Sequence, residues 1–196
     1  MQSYQLRRVA IIMLAVVLLV FGVVQLANLF RRSDNSSSIT QTADLLDLPD
    51  YAAADSRVVL TQQGEIIARE DYREIKISIS PNRRTVEIIS GYNGRVIDRR
   101  SLANDRAAYA VFLRAINQFG FDESKGNDLG DDERGICPGG NRTVTELLND
   151  GEPIFRLWAA SCSDRLGSLA GDADELVELF EAQIPDFDGF TRDVRL

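Results

Sequence analysis

The sequence predicts an α+β protein in which an N-terminal transmembrane helix precedes an antiparallel sheet of five or six strands with two helices packed on one face. Three observations carry that expectation. Residues 9–30, "VAIIMLAVVLLVFGVVQLANLF", hold no charge. Several stretches after residue 57 alternate apolar and polar residues between turn signals, the period of half-buried strands. In "RAAYAVFLRAINQF" and "ADELVELFEAQIP" the period changes to that of an amphipathic helix.

The apolar run comes first. About twenty-two residues at 1.5 Å rise reach across roughly 30 Å of hydrocarbon, and Gln25 and Asn28, both near the end of the run, are its only strongly polar members. A cleaved signal peptide is the competing reading, but its apolar region spans only ~7–15 residues and ends in small residues, whereas "RRSDN" follows here. The run is apolar on every face, unlike a soluble core helix. Arg7 and Arg8 precede it and Arg31 and Arg32 follow it, so the flanking charge is balanced. The amino terminus and a tail of only eight residues tip the N-terminal side toward the cytoplasm. Residues 1–32 carry four of the 22 basic residues and no acid, so the rest holds 18 basic against 30 acidic residues, a formal charge of −12. Such a body is repelled by nucleic acid, which is not an expected partner. The expected organisation is a cytoplasmic tail (1–8), a helix in the lipid bilayer (9–30), a flexible stalk (31–56), an extracytoplasmic α+β domain (57–190) and a C-terminal tail (191–196).

The stalk, Ser-, Asp- and Ala-rich, has the low apolar density of a linker, and "LLDLPDY" within it reads as a short apolar turn rather than a docking patch. "RVVLTQQGEIIA" then offers two short apolar runs around a Gly-containing turn. In "IKISIS", Ile75, Ile77 and Ile79 alternate with Lys76, Ser78 and Ser80. "PNRR" turns the chain into "TVEIISGY", with Val86 and Ile88 on one face, and Asn93-Gly94 signals a hairpin into "RVIDRRSL". Asn104 or Asp105 is the N-cap of a helix over residues 106–119, whose buried face is expected at Ala108, Phe112, Ala115, Ile116 and Phe119, with Gly120 past its end.

The acidic loop "DESKGNDLGDDERG" suits calcium in composition only. Started at Asp122 or Asp128, its spacing fails the EF-hand pattern, and a solvated loop is expected. A second hairpin turns at Asn149-Asp150-Gly151, pairing Leu148 with Ile154, Glu146 with Arg156 and Val144 with Trp158. In the last helix Asp172 and Glu175 form a D-x-x-E capping box, Leu176, Leu179 and Phe180 a buried stripe, and Pro185 the stop.

This register bears on the two cysteines. Cys162 ends a strand whose partner falls near Gly139 or Gly140, close to Cys137 in "GICPGGNR", within reach of a disulfide. Two buried reduced thiols remain the alternative. Zinc lacks ligands in a chain with no histidine and two cysteines, a catalytic cysteine lacks its base, and twenty-four intervening residues are not a C-x-x-C site. Ser-His-Asp chemistry is excluded for want of histidine, and no phosphate-binding or dinucleotide fingerprint occurs. The only lysines, Lys76 and Lys125, lie on a strand and in the acidic loop. No catalytic, cofactor-binding or metal-ligating residue is therefore expected, and no cofactor.

Two candidate sites remain. Asp131, Asp132, Glu133 and Asp164 carry the reading of a carboxylate-based hydrolase of envelope glycans, which needs two facing acids. Pro138, Gly139, Gly140 and Trp158 carry the favoured one, the contact surface of an extracytoplasmic binding or assembly module with a protein partner at the cell surface. A subunit anchored in a larger membrane complex is a third reading.

"DERGICPGGNR", "LWAASC" and "LFEAQIPDF" together resemble a group of uncharacterised short single-pass membrane proteins of reduced-genome bacteria. The resemblance covers about a third of the chain and implies a membrane topology and no catalytic residue. Where that group favours an aromatic, this chain has Thr143 and Val144.

Overall fold

The computed structural model describes residues 48–126, 130–163 and 166–196. The expected transmembrane helix, the tail before it and the stalk as far as residue 47 lie outside these residues, as does Asp164. Among the described residues no helix is long and apolar enough to cross a membrane.

Six strands, β1 (Ser56–Gln63), β2 (Arg73–Ile79), β3 (Arg83–Ser90), β4 (Arg95–Ala103), β5 (Arg142–Asn149) and β6 (Glu152–Ala160), form one sheet in the order β4-β3-β2-β1-β5-β6. Every pair is antiparallel. The first four strands meander; α1 (Arg106–Gln118) then carries the chain across the sheet so that β5 returns beside β1. Two further helices follow, α2 (Ala173–Glu181) and the short α3 (Phe187–Thr191).

One sheet face makes the main core. Val58, Leu60, Ile75, Ile77, Ile79, Val86, Leu147 and Leu157 cluster there with Tyr109, Phe112, Leu113 and Ile116 of α1, and with Leu176, Phe180 and Ile184. The rings of Phe112 and Phe180 meet edge-on at 5.0 Å, tying α1 to α2. At the sheet margin the Arg84 guanidinium donates to Gln183 O at 3.0 Å and that of Arg100 to Pro185 O at 2.9 Å. Arg100 also lies over the Phe190 ring at 4.7 Å, so the last turns are stitched to β3 and β4.

Helix α1 starts at Asp105, whose carboxylate accepts from Ala108 N at 2.9 Å, and it stops at Gly120, where φ is +71°. Its buried stripe is Tyr109, Phe112, Leu113 and Ile116, rotated from the expected face, and Ala108 is exposed. The larger side chains win because burying Tyr109 and Leu113 removes more apolar area from water than burying alanines. Asp172 caps α2, accepting from Asp174 N and Glu175 N at 3.2 Å each.

The domain boundaries differ from those expected. Residues 48–56 belong to the folded unit: Leu48–Ala53 is a 3-10 turn with Leu48 and Ala52 in the core, so the end of the apolar patch docks on its own domain. The C-terminal residues are likewise no tail, since Val194 and Leu196 pack against that core. A Cβ on Gly64 would come within 2.9 Å of Leu196 Cα, so glycine permits the close approach.

Local details also differ. "GEIIA" forms no strand; Ile66 leaves the ladder and donates its N–H to Pro138 O at 2.8 Å. In the β5–β6 hairpin Val144 faces Trp158 and Glu146 faces Arg156 as expected, but Leu148 pairs with Pro153 and Ile154 is the extra residue of a bulge. Asp150 and Gly151 close that turn at φ +51° and +85°, the conformation that twists with the strands. Between β3 and β4 it is Gly91 and Gly94, not Asn93, that take positive φ.

Candidate functional site

Among the described residues the opposite face carries no helix residue in its apolar cluster, which is Cys137, Val144, Trp158 and Ala160 with Ile136 and Leu166 beside them. Strand pairing sets its side chains in cross-strand rows. One row runs Arg142, Gln63, Glu74; the next Trp158, Val144, Thr61, Lys76, Glu87, Arg99; the third Arg156, Glu146, Val59, Ser78, Thr85, Ser101.

Cys137 and Cys162 form a disulfide with Cα atoms 6.0 Å apart. It ties the loop before β5 to the end of β6, where Ser161 N donates to Asn141 O and Asn141 N to Ser161 Oγ, both at 2.9 Å. Cys137 itself has φ +54°, and a Cβ on Gly140 would fall 2.6 Å from Cys137 Sγ, so the residue beside the bridge must be glycine. Beneath the loop Arg142 is 2% exposed, which demands partners for its charge, and it has them. It donates to Ile136 O and Cys137 O at 3.2 Å each, to Gln63 Oε1 at 3.1 Å, and to Gly64 O.

Of the expected contact residues, Pro138 and Gly139 are exposed and Gly140 is half-buried. Trp158 is not a contact residue. It is fully buried, with Nε1 donating to Gly130 O at 3.1 Å, because the cystine loop closes over the indole.

The candidate acids are pulled apart. Asp132 is exposed and paired with Arg134 at 2.6 Å, and that guanidinium's hydrogen bonds hold its carboxyl well below the usual range. Asp131 offers its carbonyl to Arg156. Glu133 turns inward: its side chain is 3% exposed, Oε2 lies 2.6 Å from Arg156 Nη1, and Oε1 accepts from Gln63 Nε2 at 2.8 Å. Burial pushes this carboxyl up, but the hydrogen bonds from Arg156, its own backbone amide and Gln63 outweigh burial and hold it below the ordinary glutamate value. Arg156 reaches Glu146 as well, at 3.4 Å. Glu133 is thus a strut, and Asp131 to Glu133 supply no facing pair of acids.

Sequence reasoning missed Glu74, Tyr72, Gln63 and Arg142. The Tyr72 hydroxyl donates to Glu74 Oε1 at 2.8 Å; burial pushes the Glu74 carboxyl up, and burial followed by Glu74 pushes the Tyr72 phenol up. The available signal was the alternation itself, which sets Arg142, Gln63 and Glu74 on one face of three strands. A groove of about 400 Å³ opens there, lined by Gln63, Glu74, Lys76, Glu87, Glu146 and Arg156. A second, of about 540 Å³, lies farther along the same face toward Arg57 and Arg83. Among the described residues no group of three His, Cys, Asp or Glu side chains is placed to hold a metal ion. The arrangement offers hydrogen-bond donors, acceptors and cations at fixed spacing, which is equipment for recognition. No protein-family model and no curated protein matches this chain.

Proposed function

We propose that this chain is a membrane-anchored, extracytoplasmic binding or assembly module, held by residues 9–30 and presenting its helix-free sheet face to a partner at the cell surface. The observation that carries the reading is the disulfide-braced loop on a sheet face that, among the described residues, no helix core covers. A cystine persists in oxidising compartments, and a face built of ordered polar rows is suited to contact. The apolar run at residues 9–30 and the likeness to single-pass proteins support the anchor. Pro138 and Gly139 remain in the proposed contact surface; Trp158 braces it from below.

The test is labelling of the two cysteines in intact cells with a membrane-impermeant thiol reagent. Labelling only after prior reduction is expected. Labelling without reduction, or only after lysis, overturns the proposal.

A further inference from the structure

The larger groove on the helix-free face has a chemical bias that the other grooves among the described residues lack. Its lining includes three arginines, Arg57, Arg83 and Arg99, together with the hydroxyls of Ser78, Thr85 and Ser101. Two carboxylates line it too, Asp55 and Glu87, and Glu87 is already paired with Arg99 at 2.5 Å. Arg57 and Arg83 make no ion pair among the described residues. The groove therefore holds an excess of positive charge in a chain whose formal charge beyond residue 32 is −12. A general attraction for polyanions does not explain it, because the surrounding field repels them.

The spacing is that of a recognition site. Ser80 N donates to Arg83 O at 2.8 Å, and β1 and β2 pair as far as Val58 and Ile79, so Arg57, one residue beyond, and Arg83 lie on either side of the end of β2. Two strand spacings amount to about 9.6 Å between Cα atoms, a separation that two long arginine side chains lining one groove can bridge to a single oxyanion. Thr85 and Ser101 lie side by side with hydroxyls 3.5 Å apart, next in line along the sheet. Among the described residues no aromatic side chain lines the groove, so a ligand there is held by charge and hydrogen bonds rather than by stacking. A volume of about 540 Å³ matches a small ligand.

We propose that this groove binds a soluble polyol phosphate: an oxyanion clasped by Arg57 and Arg83 on a hydroxylated body that reaches toward Arg99, Thr85 and Ser101. The inference rests on the helix-free face being the contact surface, and it names the ligand class of that surface.

The test follows thermal unfolding of the full-length chain in neutral detergent, at matched ionic strength, with glycerol phosphate, inorganic phosphate or glycerol. A saturable rise in Tm with glycerol phosphate, a smaller one with inorganic phosphate and none with glycerol is expected. The double variant Arg57→Gln/Arg83→Gln should keep its ligand-free Tm, since both side chains are exposed, and bind at least about tenfold more weakly. Arg57→Lys, which keeps the charge and loses the fork, should fall between. No saturable rise, an equal rise with inorganic phosphate, or an unchanged response in the double variant overturns the proposal. A shift seen only in mixed micelles of phosphatidylglycerol also overturns it, by making the ligand a lipid headgroup. Sidedness is read independently by thiol labelling, so a negative titration beside a positive labelling result removes the ligand and leaves the anchored module standing.

Discussion

The two faces of the sheet are built from alternate residues of the same strands, yet different forces hold what lies on them. On the helix face Val58, Leu60 and Ile77 meet Phe112, Leu113 and Phe180 in an apolar layer where burial itself is the driving force. On the other face Arg142 and Glu133 are as deeply placed at one end, but each is held by named polar partners, the half-buried Gln63 bonding both, and a covalent bridge closes the loop above them. A greasy face tolerates a change of shape if volume is kept; a polar one tolerates little loss, because each removed partner leaves another buried group unpaired. The polar face also holds open grooves along its strands, lined by charged and hydroxyl side chains.

The comparison is broken most severely by emptying the apolar side. Phe112→Ala should cost about 3–5 kcal/mol, read as a fall in the denaturation midpoint with an unchanged slope. Removing the bridge with Cys137→Ala and Cys162→Ala should cost about 3 kcal/mol in the chain-entropy account, measured against the oxidised chain. If the loop is braced as described, that variant should also expose the Trp158 indole, seen as a red shift of its fluorescence.

Glu133→Gln should cost about 1–3 kcal/mol at neutral pH by stripping Arg156 of its closest carboxylate. Its pH signature sharpens the contrast. Because Glu133 is held below its unfolded value of about 4.3, its contribution is present above that pH and lost as pH falls through the lower folded value. Glu74, pushed up by burial, has the opposite sign: its contribution is present below about 4.3 and lost as pH rises through the raised folded value. Glu133→Gln should therefore flatten the acid limb of a stability-versus-pH curve and Glu74→Gln the limb above it. At the small end, Ser101→Ala on the exposed edge should change stability by less than about 0.5 kcal/mol while weakening any glycerol phosphate response.

Much of the fold was legible because its signals are local. Ile75, Ile77 and Ile79 reveal a strand within a few residues, Asp105 and Gly120 bracket α1, and the expected pairing of Val144 with Trp158 holds because the bulge at Ile154 offsets the tighter turn. That pairing also brought Cys162 to the neighbourhood of Cys137. The polar site was much less legible. "DDER" shows three acids in a row, and nothing in that string says that the third turns inward while the second turns out; Arg156 and Gln63, supplied by distant strands, decide it.

By itself, then, the sequence determined most of the elements, which strands join in each hairpin and the nearness of its two cysteines, since each depends on periodicity and turn chemistry among near neighbours. The tertiary structure alone decided that β5 returns beside β1, that Leu48 and Leu196 belong to the core, and that Trp158 is a buried brace rather than a contact. Those outcomes depend on what packs against a residue from far along the chain, and the free energy of such a contact is written in the partner as much as in the residue itself.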